Sequence, residues 1–402
     1  MTGELDSLKE YYNRCVRCGQ CRSVCPVFSR LKTESASPRA KVFLSHLLAS
    51  GDVSKSREAQ RLLSLCLLCR SCTAECPSAV PVHRLVTAAR AGAAFGWDDA
   101  LKNVLAKNFF AHPDILALGL SALSLCRPVF AIPGIREFLS PLSPLGQAAL
   151  KQRAKKILPA STLPAGRTRL RVAYFIGCLT DICFPEVARD TVSVLSSLGC
   201  EVIVPKNTGC CGAPLAARGQ KEAAAHRVRS SLSAVAGTGA DAVVTDCPTC
   251  ALNLTEGAQE YLDKNLKVYE ALQLAAELQS LGGIDLPKTG AAVTCHYPCH
   301  LTHALRAAEA TRQVLKSTCP DFRELPLDSG CCGGGGSFFL AHRQLSSRIL
   351  KDKVKDIEKT GARLIATSCP LCQIQIRRGL NEAEYRASVV HPIQLIKPGI
   401  KI

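Results

Sequence analysis

No stretch of this 402-residue chain reads as a membrane span. The uncharged run Ile115–Cys126 is twelve residues long, and a spanning helix needs ~20. The opening residues, MTGELDSLKEYYNR, lack a basic n-region and an apolar h-region, so no secretory leader is expected. Aromatic residues are scarce at 5% against a formal net charge of +17. Without a basic helix or a stacking motif, such a chain is not expected to bind nucleic acid. Also missing are a G-x-G-x-x-G turn, a Walker A loop and any Ser/His/Asp grouping in a recognisable context. The chain offers no flavin or nicotinamide site, so an organic substrate would have to react on another chain.

Cysteine is what abounds, with 23 residues in a chain that is 47% hydrophobic and 21% charged. That composition is globular, and the length allows roughly two to three domains at ~150 residues each. So many cysteines mean either a secreted disulfide scaffold or a metal protein. A chain this long builds its cores without staples. The thiols are therefore read as metal ligands in a reduced, cytoplasmic compartment.

Cys15, Cys18, Cys21 and Cys25 lie in RCVRCGQCRSVCPVF, and Cys66, Cys69, Cys72 and Cys76 in LCLLCRSCTAECPSAV. Both segments read C-x2-C-x2-C-x3-C-P, the bacterial ferredoxin run for 4Fe–4S clusters. Three closely spaced thiolates wrap one face of a cube. The fourth, deflected by Pro26 or Pro77, ligates the other cluster. The expected sets are Cys15, Cys18, Cys21 with Cys76, and Cys66, Cys69, Cys72 with Cys25. A zinc ribbon wants C-x2-C pairs and four ligands per ion, which these runs fit poorly. Between them Leu44, Leu47, Leu48, Leu62, Leu63 and Leu65 recur with helical spacing. The N-terminal unit is therefore expected to be an α-helical, elongated ferredoxin-like domain.

The second half is duplicated. Cys178, Cys210-Cys211-Gly212 and Cys247-x2-Cys250 recur as Cys299, Cys331-Cys332-Gly333 and Cys369-x2-Cys372, displaced by about 121 residues. The first copy alternates the apolar run RVAYFIGC, a helix, the strand EVIVPK, the CCG turn, the helix KEAAAHRVRSSLSAVAG and the strand DAVVTDCPTC. The second runs through AAVTCHYPCH, the helix TRQVLKST, FRELPLD, CCG and ARLIATSCPLC. Tandem α/β units follow. Their cysteines fall at strand C-termini or helix starts, where open α/β sheets place ligands. Five thiolates from three loops are expected to converge on one crevice per repeat. One tetrahedral zinc takes only four; the residues alone leave open a cluster at both sites, or zinc or a cubane at one.

These patterns resemble the cysteine-rich CCG domain. Together with the doubled ferredoxin run, the chain resembles the glycolate oxidase iron–sulfur subunit family along most of its length. That family includes iron–sulfur subunits of D-lactate and anaerobic glycerol-3-phosphate dehydrogenases. PRAKVFL, PSAVPVHRL and CHYPCHLTHAL are smaller matches. The resemblance implies the electron-transfer subunit of an oxidoreductase complex that oxidises a 2-hydroxy acid, glycolate or D-lactate. Electrons would leave a flavin in a partner dehydrogenase subunit, pass through 4Fe–4S clusters and reach a quinone or a membrane electron-carrier subunit. Both CCG sets are complete, which points also to the catalytic subunit of heterodisulfide reductase. There five cysteines hold a non-cubane 4Fe–4S cluster and the site reduces a disulfide. The implied cofactors are two cubanes and one further 4Fe–4S cluster per CCG domain.

The expected domains are 1–97 for the double-cluster ferredoxin unit, 98–168 for a helical connector and linker, 169–285 for the first CCG domain and 286–402 for the second. Residues 1–169 hold 24 Lys+Arg against 11 Asp+Glu, and residues 170–402 hold 26 against 22. The basic excess thus surrounds the predicted cubanes, and it fits docking to an acidic partner or to an anionic inner membrane face. Cys126, Cys183, Cys200, Cys295 and Cys319 lie outside all motifs and are expected in cores, with Cys295 the one near a ligand, Cys299. His83, His296, His300 and His303 are expected beside the ligands, where a hydrogen bond to sulfur would raise a potential; His300 or His303 is also a candidate proton relay. The run Gly333–Gly336 reads as close backbone approach to a cluster. With its histidines it marks the second repeat as the more open site, nearer the acceptor.

Overall fold

The computed structural model describes residues 7–91, 152–164, 166–262, 266–282, 286–326 and 329–397, with Leu5, Ile115, Leu118 and Gly119. Most of the expected connector, Cys126 included, lies outside the described residues.

The N-terminal unit is helical. Its longer helices are α1 (Pro38–Ser50), α2 (Arg57–Ser64) and α3 (Val82–Arg90). Ser37 caps α1 by accepting from the Ala40 N–H, Pro38 opens it, and Gly51 closes it at φ 80°. Ser56 caps α2 through the Ala59 N–H. Such caps are worth about 1 kcal/mol each. Val42 and Leu48 of α1, Leu63 of α2, and Leu85, Val86 and Ala89 of α3 share one core with Leu8 and Tyr12.

The first repeat comprises β1 (Ser161–Thr162), β2 (Leu170–Tyr174), α4 (Pro185–Ser197), β3 (Cys200–Ile203), α5 (Lys221–Ala236), β4 (Ala242–Thr245), α6 (Pro248–Tyr261), β5 (Lys267–Glu270) and α7 (Ala271–Gly282). The sheet order is β1-β3-β2-β4-β5. Only the edge strand β1 runs antiparallel. All of β4 and the end of β2 are buried, as expected of parallel strands covered on both faces.

The second repeat comprises β6 (Val293–Cys295), α8 (Ala308–Thr318), α9 (Arg343–Thr360), β7 (Leu364–Ala366), α10 (Pro370–Glu382) and β8 (Ser388–Val390), in the parallel order β6-β7-β8. FRELPLD does not match β3: it makes a single bridge, Val293 with Phe322. Pro326 has no N–H to extend a ladder. The two repeats share a core in which Phe184, Val187 and Leu274 meet Val314, Ile374, Ile393 and Ile396.

The helical unit docks on both repeats. At the end of α3 the half-buried Arg90 guanidinium donates to the carbonyls of Leu63 and Cys66 within its own unit and of Ala217 in the first repeat. Gly219, at φ 77°, lets the first repeat approach the backbone here: a Cβ would stand 2.6 Å from the Ala91 N and the Arg90 carbonyl carbon. Arg70 holds Glu256 through two hydrogen bonds of 2.6 and 2.9 Å, and Arg30 pairs with Asp352. Gly219→Ala should therefore destabilise the docked protein by about 1–3 kcal/mol, since backbone cannot yield as a side chain does. Gly166→Ala, with nothing within 4 Å of its Cβ, is the control. Thermal unfolding of the two variants checks this, and equal midpoints would refute the close approach.

Candidate metal centres

Both ferredoxin runs are wound alike. Two residues after the first cysteine, Arg17 and Leu68 take φ 57° and 56°; four residues after it, Gly19 and Arg70 take 88° and 64°. Left-handed backbone at a non-glycine residue costs on the order of 1–3 kcal/mol and persists where the surroundings over-determine it. The winding leads into the short helices Gln20–Ser23 and Ser71–Ala74, which carry Cys21 and Cys72. Backbone N–H groups of Phe28, Leu68 and Val80 donate to the sulfurs of Cys25, Cys66 and Cys76, each at 3.4 Å.

One cavity is lined by Cys25, Cys66, Cys69 and Cys72 with Val27 and Leu67. The last cysteine of the first run thus stands with the first three of the second. Cys21 feels the charges of Cys15, Cys18 and Cys25, and Cys15 and Cys76 pack on the same apolar core. Burial, then neighbouring thiols, pushes the Cys69 and Cys72 pKa values far up. Cys18 is exposed.

In the repeats the loops after the strands converge. Gly177, at the mouth of the helix Cys178–Cys183, would put a Cβ 3.1 Å from the Cys250 sulfur, so the β2 and β4 loops meet there. Hydrogen bonds join Cys178 to Cys210, Cys210 to Cys211, Cys211 to Cys250 and Cys250 to Cys247. In the second repeat they join Cys299 to Cys331, Cys331 to Cys332, Cys332 to Cys372 and Cys372 to Cys369; the Cys332–Cys372 sulfurs are 3.2 Å apart. Each predicted set of five is therefore assembled. The two sets also touch, because Cys247 and Cys369 hydrogen-bond to each other.

This array fits iron on its own chemistry. Cys250 and Cys372, hydrogen-bonded to two thiols each and buried, are pushed far up, while Cys211, Cys331 and Cys369 are held down by thiols that donate to them. Buried thiols in contact cannot all ionise unless a cation compensates them. A coordinating thiol is deprotonated outright, and soft thiolate donors select iron–sulfur clusters among other soft metals. Every described cysteine is a free thiol. Cys183, Cys200, Cys295 and Cys319 lie in apolar cores, as expected. Cys295 packs with Val293, Leu315 and Cys319.

The second repeat is not the open site that its glycines suggest. Gly335, at φ 52°, faces Leu67 of the helical unit so closely that a Cβ would overlap it. Cys331 packs with Cys25 and Cys69. The glycine run makes room for the ferredoxin unit, and the second site lies between that unit and the first site. His300 ties three loops: its Nε2–H donates to the Leu68 carbonyl at 3.1 Å, and the Thr249 hydroxyl donates to Nδ1 at 2.9 Å. Both nitrogens are engaged, which argues against a relay there. His83 and His303 bond to Thr73 and Ser71 hydroxyls rather than to sulfur. His296, buried and pushed down by burial to about 3, presents a ring nitrogen within 4.8 Å of the sulfurs of Cys332 and Cys372.

Several polar residues of these sites escaped sequence reasoning. Asp246 accepts from the hydroxyls of Tyr174, at 2.7 Å, and Thr180, at 3.0 Å, beside Cys247. His391 reaches across the repeats to donate to the Asp246 carbonyl at 2.9 Å. Burial raises Glu270 to about 8. Lys353 is 2% exposed on the buried face of α9. The available signal was periodicity: Lys353 is in step with Leu350, Val354 and Ile357, an apolar stripe interrupted by one cation.

Among the described residues no helix is long and apolar enough to cross a membrane. A model of the 4Fe-4S dicluster domain matches residues 11–80, and one of the cysteine-rich CCG domain matches 172–255 and 293–377. The "Probable glycolate oxidase iron-sulfur subunit" of Bacillus subtilis is 27% identical over 95% of this chain and 91% of its own length. The glycolate oxidase iron–sulfur subunit of Escherichia coli is 27% identical over 96% and 94%. Lactate utilization protein A 1 of Bacillus mycoides is 30% identical over 56% of this chain and 96% of its own length. With a dicluster domain followed by two CCG domains, the chain belongs to the glycolate oxidase iron–sulfur subunit family.

Proposed function

We propose that this chain is the electron-transfer subunit of a flavin-dependent 2-hydroxy-acid dehydrogenase complex, taking electrons from a partner flavin subunit and delivering them to a quinone or another carrier. The observation that carries this reading is the unbroken succession of thiol sites: the first ferredoxin run, the second run, the second CCG set and the first CCG set. Cys15, Cys18, Cys21 and Cys76 would hold one cubane, and Cys66, Cys69, Cys72 and Cys25 the other. Cys178, Cys210, Cys211, Cys247 and Cys250 would hold a third cluster, and Cys299, Cys331, Cys332, Cys369 and Cys372 a fourth. When bound, the clusters would supply one-electron carriers. The protein's part is to bury those ligands and fix the loops that bear them.

A partner would meet the chain at the first run. Cys18 is exposed there, with Val16 70% and Phe43 47% exposed. Arg17 stacks on Phe43 at 5.2 Å and Arg14 on Tyr11 at 5.1 Å. Apolar side chains rimmed by arginines suit an acidic partner surface with an apolar centre. Part of the basic excess is already used within the chain, by Arg30 on Asp352, Arg70 on Glu256 and Arg153 on Asp181. The remainder leaves attachment to an anionic membrane face as a second use.

Three outcomes test this reading. The purified protein should carry about 16 iron per chain, the count for four 4Fe–4S clusters; zinc with little iron would refute it. Cys18→Ser or Cys69→Ser should each remove one cubane signal from the electron paramagnetic resonance spectrum. Cys69→Ser should also lower stability, because cluster binding is coupled to folding. Cys211→Ala and Cys332→Ala should each delete a different centre and leave both cubanes in place. If one signal disappears in both variants, the two CCG sets hold a single shared centre.

A further inference from the structure

The duplicated CCG sites are framed alike and charged differently. Gly257 and Gly379 fix the correspondence of the flanking helices: a Cβ on the first would meet Val228 and Leu232, and on the second Leu350 and Val354. In that register Lys353 of the second repeat stands where the first has Ser231. Ser231 is a neutral buried hydroxyl, 3.5 Å from the Cys210 carbonyl. The Lys353 ammonium donates to the Ser329 hydroxyl at 2.7 Å, which donates to Asp356 at 2.9 Å. Asp356 is shared with the exposed Lys359 at 2.9 Å, so it offsets the buried cation in part. Its charge is felt by Cys331, Cys332 and Cys372.

Two more positions differ in the same sense. The strand register that aligns Phe175 with Val244 aligns His296 with Ala366, so His296 replaces a phenyl ring with an imidazole near Cys332 and Cys372. Asp246, before Cys247, is matched by Ser368, before Cys369. The first site thus carries a buried carboxylate where the second carries a hydroxyl. The cations beside the first site, Lys155 near Cys178 and Arg227 near Gly209, are only half-buried, where solvent screens them.

Resting on the reading that both sets hold clusters, we infer that the second CCG site is the electron sink of the pair, set above the first by Lys353 and His296. A buried cation stabilises the more negative, reduced cluster, and nitrogen partners raise iron–sulfur potentials. The sink lies where the structure puts it to use, against Cys69 of the neighbouring cubane. Electrons arriving from the ferredoxin unit would settle there before reaching the first site.

The test is a redox titration of the holoprotein followed by electron paramagnetic resonance, with the two centres assigned by the Cys211→Ala and Cys332→Ala spectra. In the parent protein the second centre should be reduced first. Lys353→Gln keeps a donor for Ser329 and removes the charge; His296→Phe installs the residue of the first repeat. Each should weaken the preference for the second centre about tenfold, or about 59 mV for a one-electron centre, with the cubane potentials unmoved. Lys353→Arg should restore the order. If Lys353→Gln does not fold, His296→Phe carries the test alone. Reduction of the first centre first, or unchanged potentials in the neutral variants, overturns the inference. Absence of two distinct CCG centres in the parent protein overturns the cluster reading, and this inference with it.

Discussion

Ten thiols linked one to the next in apolar surroundings cannot all charge themselves. Two unit charges 4 Å apart repel by about 4 kcal/mol at an effective dielectric constant near 20, and these thiols form a continuous row from Cys178 to Cys299. The row is tolerable as neutral thiols or as thiolates around a cation, and only the second state is useful. The same condition governs the ferredoxin runs, where Arg17, Leu68 and Arg70 hold left-handed backbone at a cost that metal binding is placed to offset. The sheets and helices serve as frames that deliver cysteine loops to one line.

What keeps that line in register is buried contact, not surface charge. Exposed ion pairs such as Arg61 with Glu58 are worth about 0.2–1 kcal/mol. Arg90, half-buried and satisfied by three carbonyls, costs more to disturb. Gly219 and Gly335 remove the side chains that would hold the units apart. His300 then connects the loop of Cys66 and Cys69, through Leu68, to the loop of Cys247 and Cys250, through Thr249. It stands beside Cys299. A single imidazole thus fixes loops from three sites, and its tautomer follows because a carbonyl can only accept.

Spacing made the ligands legible. Runs of C-x2-C-x2-C-x3-C-P and two copies of a five-cysteine pattern state their chemistry locally, because short loops bring near neighbours together whatever the rest of the chain does. The strands β2, β4, β6 and β7 were legible for the same reason, as apolar runs ending at cysteines. The strands β5 and β8 were not: KVYE and SVV are short and only partly buried. With them went Glu270 and His391, which close the ends of those strands. The contact of Cys247 with Cys369 depends on how two domains pack and leaves no periodic trace. The glycine run misled because the signal it carries, close backbone approach, does not say what approaches. Leu67 of another unit does.

Duplication usually gives two equal sites, and here the placement of the ligands alone would keep them so. Both sets sit at strand C-termini, both are wrapped by a CCG turn against a following helix, and the Cys247–Cys369 contact makes them neighbours. Their separation therefore cannot give electrons a direction. Position breaks the symmetry first, since the second set borders Cys69. The buried side chains break it next: a lysine and a histidine on one side, a serine and a phenylalanine on the other. Burying an ammonium costs free energy, and Lys353 meets Asp356 through the Ser329 hydroxyl. Packing gives no reason to place a cation on an apolar stripe with Leu350, Val354 and Ile357. An anionic neighbour does, and on the reading that the second cysteine set holds a cluster, that set joins Asp356 in this role.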